Sequence, residues 1–149
     1  MDQITLERFE TKVDTSGPCH VWTGARNDRG YGQIRIASKL YYAHRLAYET
    51  VKGPIPNGMV IDHMCHNPAC VNPDHLQAVS TKQNTENIRS ARSSTGFRGV
   101  WKTRSGRYTA EVKHNYKKYR AGNFETPEAA NDAAIALRNR LFSNNLQDR

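Results

Sequence analysis

The sequence has few residues of the kinds that build a large core, a membrane span or a disulfide framework. Hydrophobic residues make up 37% of its 149 residues, which is low for one well-filled core, so each part needs help to hold its shape. No uninterrupted apolar stretch is long enough to span a bilayer. The first residues, MDQITLERFETK, show no apolar run after a basic start and hence no secretory signal. We therefore expect an intracellular protein.

Acidic residues are scarce in the second part of the chain. Residues 1–90 hold ten Lys and Arg against nine Asp and Glu, whereas residues 91–149 hold twelve against five. Between Arg92 and Arg120 there are nine basic residues and one acid, Glu111. Aromatic residues alternate with these charges, which favours a nucleic-acid partner over a merely solvated surface.

A small polar segment divides the chain into two parts. Residues 91–96 belong to the stretch SARSSTG and are predicted to be a linker between a domain of residues 1–90 and a domain of residues 97–145. The first part predicts an α+β fold with a hairpin, a helix, two strands and a final helix, at 31–36 with 40–44, 44–51, 59–62, 76–80 and 81–90. The second part predicts three strands and one helix, at 97–102, 107–113, 117–124 and 127–142, with Thr126 as the N-cap.

Metal-capable side chains are crowded into the stretch DHMCHNPACVNPDH, residues 62–75. Cys65, Cys70 and His75 follow one another at five-residue intervals, and a structural zinc requires a fourth ligand. Cys19 is the remaining cysteine, and in a chain without a secretory signal an odd number of cysteines favours metal over disulfides. The sequence therefore predicts a Cys3His zinc site. His20 and His66 are alternatives to Cys19.

Three polar residues near this stretch predict a second metal. The carboxylate of Asp62 and the amide oxygen of Asn84, one turn into the following helix, suit a hard six-coordinate ion such as Mg2+. His63 lies beside them and can accept a proton from water. Together they predict a hydrolytic centre.

The segment DHMCHNPACVNPDHLQAVSTKQN resembles the ββα-metal core of HNH nucleases and, more closely, the His-Cys box homing endonucleases. The upstream segment GYGQIRI…AHRLAYE resembles the hairpin and HR-L motif of HNH phage and intron nucleases, so the resemblance covers residues 17–90. It implies His63 as general base and Asp62 and Asn84 as ligands of the catalytic ion. It also implies that Asn72 holds the loop, and that the structural zinc is bound by Cys19, Cys65, Cys70 and His75.

The second part resembles the plant ethylene-response-factor (apetala-two type) DNA-binding domain. The resemblance lies in FRGV…SGRYTAEV…AGNFETPEAANDAAIALR and implies a three-stranded sheet that lies in the major groove, with a helix behind it. Where the plant pattern has Arg, Arg and Trp, this chain has Trp101, Thr103 and Ser105, so the fold carries over and the base preference does not. We expect DNA contacts from two sets of residues: Gln33, Arg35 and Lys39 in the first part, and Arg98, Trp101, Lys102, Arg104, Arg107 and Lys113 in the second. Trp101 has a core position as its alternative.

Taken together, these patterns predict a site-specific DNA endonuclease of the homing or phage HNH type, acting in the cytoplasm of a phage host or prokaryotic cell. Arg29, Arg35 and Arg45 are candidates to brace the phosphate. Duplex DNA is favoured over RNA because A-form RNA hides its major groove. A monomer is favoured and a homodimer is possible, so nicking and double-strand cleavage stay open. The alternative is a sequence-specific DNA-binding regulator whose zinc loop is purely structural.

Overall fold

Short helices and small antiparallel sheets make up the part of the chain that the structure describes, residues 2–88, 93–146 and 148. Within those residues, this computed structural model contains four α-helices, three two-stranded sheets and one three-stranded sheet. The predicted α+β class is confirmed. No helix in the described residues has the length and apolar character needed to cross a membrane. The chain divides into two compact units, residues 1–81 and 82–149.

The first unit contains three antiparallel strand pairs. Its elements are α1 (Gln3–Glu10), β1 (Val13–Asp14), β2 (Val21–Trp22), β3 (Gln33–Ile36), β4 (Lys39–Tyr42), α2 (Ala43–Lys52), β5 (Met59–His63), a 3-10 turn (Pro73–His75) and β6 (Leu76–Ser80). Strand β1 pairs with β2, β3 with β4, and β5 with β6. Helix α3 (Thr81–Glu86) begins at the residue after β6. The order of β5, β6 and α3 is therefore strand, strand, helix, as the resemblance implies.

A tryptophan fills the centre of the first unit's core. Trp22 is fully buried, and its ring centroid lies 5.0 Å from that of Phe9. The backbone of Gly32 approaches this ring so closely that a Cβ there would lie 2.6 Å from Trp22 Cδ1. A larger residue at position 32 would therefore displace the ring. The other buried residues of the cluster are Ile34, Ala43, Ala47, Ile61, Val71 and Leu76.

Backbone pairing brings the segment after Cys19 against the loop between β5 and β6. Residues 20–22 and 69–71 are joined by two hydrogen bonds of 2.7 and 2.8 Å and by a β-bridge between Val21 and Cys70. Cys19 precedes the first of these segments directly. The pairing therefore places Cys19 beside a loop that is far away in sequence.

The second unit is a sheet with one helix on it. Strands β7 (Val100–Lys102), β8 (Tyr108–His114) and β9 (Lys117–Phe124) pair antiparallel in that order, and α4 (Pro127–Leu141) follows. Thr126 caps α4, because its side chain accepts a hydrogen bond of 3.2 Å from the Ala129 N–H. Small buried residues form the contact between helix and sheet: Val100, Ala110, Ala130 and Ala134. The predicted three strands and capped helix are confirmed.

Two features of the fold differ from the sequence-based prediction. Helix α1 and the β1–β2 pair lie where the sequence predicts no element. Helix α3 ends at Glu86 rather than at residue 90, because Arg98 donates hydrogen bonds to the last helical carbonyls, those of Thr85 and Glu86, at 3.4 and 3.0 Å. Residues 89–92, which include the start of the predicted linker, lie outside the described residues. The position of that linker stays a prediction.

Candidate active site and metal centre

Three cysteines and one histidine converge in the first unit. The sulfur atoms of Cys19, Cys65 and Cys70 and a ring nitrogen of His75 all lie within 4.8 Å of one another. Cys19 comes from the segment paired with the loop, and the other three come from the loop itself. Neither His20 nor His66 belongs to the group. The structure therefore brings together the four residues that the sequence predicts.

The distances in this cluster fit a tetrahedral ion. Nδ1 of His75 lies 3.6 Å from Sγ of Cys19 and 3.6 Å from Sγ of Cys70. Zinc with bonds of about 2.3 Å to sulfur and about 2.0–2.1 Å to nitrogen separates these two ligand types by about 3.6 Å. Three sulfur atoms with one imidazole are also a common donor set of structural zinc sites. The two distances from His75 are therefore those of a tetrahedral zinc site.

Burial makes the thiols of Cys65 and Cys70 weaker acids than a free cysteine. Desolvation raises the pKa of Cys70 to about 12 and also raises the pKa of Cys65. A metal binds the thiolate form and releases the proton. Binding at this cluster is therefore expected to be coupled to proton release.

His63 is buried and has a defined orientation. Its Nε2 lies 3.1 Å from the backbone carbonyl of Cys70, and because a carbonyl can only accept, Nε2 carries the hydrogen. The other nitrogen, Nδ1, is then the basic one. Burial lowers the pKa of His63 below its ordinary value of 6.5, although the Cys70 carbonyl and the charge of Asp62 act in the opposite direction. The ring is therefore neutral at physiological pH and able to accept a proton.

The neighbouring polar residues have distinct positions. Asp62 is buried on β5 and accepts a hydrogen bond of 2.9 Å from the side chain of Gln77, which lies opposite it on β6. Asn72 accepts from the Asp74 N–H at 3.0 Å and donates to the Pro18 carbonyl at 3.4 Å. It thus connects the metal loop to the residue before Cys19, which fits the loop-holding role implied by the resemblance.

Asn84 lies on α3, half-buried. The structure places it in the second unit, whose described range starts at Lys82. Its role as a metal ligand stays a prediction.

A cleft of about 330 Å³ opens beside His63. Tyr31 and His44 line it, and their ring centroids lie 5.7 and 4.8 Å from that of His63. His44 is only 7% exposed, and its Nδ1 has no hydrogen-bond partner among the described residues. Burial lowers the pKa of His44 to about 3, with smaller contributions from His63 and Arg45, so this ring is also neutral. The sequence gives little signal for His44 beyond its place in the HR-L motif.

Two of the three candidate arginines face this cleft. Arg29 and Arg45 line it together with the aromatic rings. Arg35 lies on the exposed side of β3, where it donates a hydrogen bond of 2.9 Å to the Ser38 carbonyl. The cleft is therefore lined by two arginines as well as by the two rings, Tyr31 and His44, that contact His63.

The predicted DNA contacts of the β3–β4 hairpin lie along its two strands. Gln33 is half-buried, whereas Arg35 and Lys39 are exposed. The ammonium of Lys39 lies 5.2 Å from the ring centroid of Tyr41. Both cations are thus accessible from solvent.

One face of the second unit's sheet is available for a ligand, because the other packs on α4. Trp101 is 47% exposed, so it is not a core residue. Strand alternation places Lys113 on the outer face, opposite the buried Val112. In the observed register, Lys118 lies opposite Lys113 and Arg120 lies opposite Glu111. The outer face therefore carries two cations that the sequence-based prediction lacks. Their signal was present in the alternation of β9.

The remaining predicted contacts differ in how they are used within the protein. Lys102, Arg104 and Arg107 are exposed, and Arg107 donates to the Asn123 carbonyl at 3.3 Å. Arg98 is half-buried, and besides its two bonds to α3 its guanidinium lies 5.6 Å from the ring centroid of Phe142. Its assignment to DNA stays a prediction, although these contacts make it less accessible than the others.

Comparisons with known proteins find one matching family model and several similar phage proteins. Residues 41–86 match the family model described as HNH endonuclease. Protein 7.7 of Escherichia phage T7 is 43% identical over 70 residues, which are 47% of this chain and 54% of the relative. Protein 2.8 of the same phage is 40% identical over 96 residues, which are 62% of this chain and 63% of the relative. Protein 3.8 of the same phage is 38% identical over 95 residues, which are 56% of this chain and 78% of the relative.

These matches cover only part of this chain and of its relatives. The chain spans 54% and 63% of the lengths of proteins 7.7 and 2.8. The family-model match covers the metal loop, β5, β6 and α3 but none of the second unit's sheet. No solved structure matches this chain.

Proposed function

This chain belongs to the same family as protein 3.8 of Escherichia phage T7, and from its HNH endonuclease match we propose that it is a site-specific, metal-dependent DNA endonuclease. The observation that carries the proposal is the state of His63. It is a buried, neutral imidazole whose Nε2 hydrogen is held by the Cys70 carbonyl, which leaves Nδ1 as a proton acceptor. A DNA-binding regulator with a purely structural zinc loop has no need of such a base.

In the proposed reaction, Nδ1 of His63 accepts a proton from a water molecule as its oxygen attacks the phosphorus. The carboxylate of Asp62, oriented by Gln77, and the amide oxygen of Asn84 would hold a divalent ion, Mg2+ or a similar hard cation. Such an ion, when bound, stabilises charge on the phosphate and on the leaving oxygen. Arg29 and Arg45 face the adjacent cleft and are suited to hold the phosphate in place.

The Cys3His cluster is proposed to bind structural zinc. All four positions are filled by protein side chains, which is typical of a structural rather than a catalytic zinc site. The ion would fix the loop that contains Cys70 and, through its carbonyl, the ring of His63. Asn72 supports the same loop from the side of Pro18.

DNA binding is proposed to involve both units. Exposed cations of the β3–β4 hairpin would contact phosphates or base edges near the cut, and the outer sheet face would contact a neighbouring groove. The contacts proposed for the second unit are Trp101, Lys102, Arg104, Arg107 and Lys113, together with Lys118 and Arg120. The protein would act as a monomer on duplex DNA in the host cytoplasm.

The test is cleavage of a supercoiled plasmid that carries a broad DNA library, with Mg2+ added or omitted. The wild type should give nicked product only with Mg2+, and His63→Ala should give none while it keeps binding DNA. His66→Asn is a matched control, because His66 lies in the same loop, stands outside the Cys3His cluster and has a positive φ of 56° that asparagine tolerates.

Each outcome separates the candidates. Linear product without a nicked intermediate would indicate that the protein cuts both strands as a dimer rather than nicking as a monomer. The DNA-binding regulator would be favoured if the wild type and His63→Ala retain DNA equally and neither cleaves it. This outcome requires that the library contains a sequence that the protein binds.

A further inference from the structure

The turn between β8 and β9 carries a strained and exposed aromatic residue. Asn115 and Tyr116 both have positive φ, 48° and 62°, in a two-residue turn that Asn-Gly forms most readily. Asparagine tolerates this conformation, but a tyrosine is disfavoured there. Tyr116 is 97% exposed, so packing within the described residues does not offset the strain. Folding alone therefore gives no reason for tyrosine at this position.

The strands beside the turn carry a second unfavourable feature. Lys113 and Lys118 lie directly opposite each other on the outer face of the sheet, and like charges at such positions destabilise an antiparallel pair. Glu111 contacts Lys118 at 3.3 Å and Arg120 at 2.7 Å. Near the turn, the carboxylate of Glu111 is thus the counter-charge for three cations, Lys113, Lys118 and Arg120. The net charge there is positive.

Both features are compensated by the same kind of ligand. Phosphates neutralise facing lysines, and a protruding aromatic ring packs on the sugars of a groove or enters between two base pairs without requiring one sequence. An acidic protein surface would satisfy the lysines, but it has no specific use for an exposed ring in a strained turn. The positive charge of this part of the chain, twelve basic against five acidic residues over 91–149, also favours a polyanion.

We propose that the tip of the β8–β9 hairpin is a DNA-binding element in which Tyr116 packs on the nucleic acid and Lys113 and Lys118 contact phosphates. This proposal rests on the proposed function, which identifies the polyanion as the DNA that this protein cleaves. It adds to the predicted contacts a residue that strand patterns do not reveal, because Tyr116 lies in the turn. Local strain at this residue is tolerated for the sake of binding.

The experiment compares stability and DNA affinity in variants of the full zinc-containing chain that carry His63→Ala. The probe is a fluorescein-labelled 30-base-pair duplex pool of random sequence, measured by anisotropy over a series of salt concentrations. Tyr116→Gly relieves the backbone strain at the positive φ of residue 116. It should therefore raise the melting temperature of the second unit by about 4 °C or more. The same change should weaken DNA binding about 5-fold or more. Tyr116→Phe, which keeps both ring and strain, should retain the wild-type melting temperature and affinity.

The salt dependence distinguishes packing from charge. Tyr116→Gly should leave the slope of log K against log salt unchanged, whereas Lys113→Ala should reduce it by about 0.9. Unchanged affinity in Tyr116→Gly, or absence of DNA binding by the parent chain, would overturn the proposal. So would a fall in melting temperature, because it would mean that Tyr116 stabilises the hairpin. Binding is measured without cleavage, so the two proposals can fail separately. If the wild type never cuts DNA but binding still depends on Tyr116, the nuclease proposal is refuted and this one is not.

Discussion

Selective removal of the ion from the Cys3His cluster should unfold the first unit and stop DNA cleavage, even with Mg2+ in excess. Among the described residues, the unit's core is a cluster of eight buried hydrophobic residues. A small domain has a total stability of about 5–15 kcal/mol. Structural zinc contributes about 10–16 kcal/mol in zinc-finger peptides at pH 7. The expected loss is therefore as large as the stability itself. A metal-free first unit should be largely unfolded at 37 °C.

The catalytic loss follows from the same contact. Without the ion, the loop no longer holds the Cys70 carbonyl at 3.1 Å from His63 Nε2, and a positioned general base contributes about 10²–10⁴-fold to such reactions. The assay uses a nitrogen-donor chelator that removes zinc and leaves millimolar Mg2+ in solution. Released zinc, circular dichroism and plasmid cleavage are followed together, and one equivalent of added zinc should restore all three.

Two variants and one outcome complete this test. Cys70→Ser should reproduce the effect of the chelator, whereas His66→Asn should retain zinc, fold and activity. A protein that holds less than about one tenth of an equivalent of zinc yet keeps its ellipticity and cleaves at the wild-type rate would refute the reasoning, because binding energy of this size cannot be lost without consequence.

Three further predictions concern the base, the core and the second unit. Because burial lowers the pKa of His63 and the neutral ring is the active form, the cleavage rate should fall to half only below pH 6.5; a pH–rate profile with its midpoint above that value would contradict this. Gly32→Ala should destabilise the first unit by about 1–3 kcal/mol in urea denaturation, because the added Cβ would overlap the buried indole. Glu86→Ala should destabilise the second unit by about 3 kcal/mol in thermal denaturation, because the Oε2 atom of its 5%-exposed side chain accepts three hydrogen bonds from residues 143–144 and the truncation removes that acceptor. Glu111 serves as control because its side chain is more exposed, at 21%, and Glu111→Ala should cost less than about 1 kcal/mol in the same thermal assay.

The metal cluster could be predicted because its ligands follow simple rules of spacing and count. Cys65, Cys70 and His75 are near neighbours in sequence, and a tetrahedral site requires one more ligand. Cys19 was preferred because it is the remaining cysteine, with His20 and His66 left as alternatives, and the structure places Cys19 in the cluster. The pairing of residues 20–22 with the loop, which brings Cys19 there, leaves no sequence pattern. The strands on either side of the loop are short apolar runs, MVID and LQAVS, and the predicted bounds of β5 and β6 lie within a residue of the observed ones.

Other features depend on backbone contacts that side-chain patterns do not encode. The contact that orients His63, between its Nε2 and the carbonyl of Cys70, is one of these, because no side-chain pattern marks a backbone carbonyl. Helix α1 was missed because its eight residues are too few to show a clear period, although Asp2 caps it by accepting from the Thr5 N–H. The contribution of β9 to the outer face was missed for a different reason. Alternation along β9 carries the signal, but it is the observed pairing that places Lys118 opposite Lys113 and Arg120 opposite Glu111 on the outer face.

Cys70 links stability and catalysis through two different atoms. Its sulfur belongs to the metal cluster, and its carbonyl oxygen accepts from His63. The backbone around it is restrained further, because the Cys70 N–H donates to the Asn67 carbonyl at 3.0 Å and the Val71 N–H donates to the His20 carbonyl at 2.7 Å. With its backbone restrained from both sides, the carbonyl cannot rotate away without breaking these bonds. The base is thus oriented before any substrate arrives, which is the arrangement that lowers the cost of reaching the transition state.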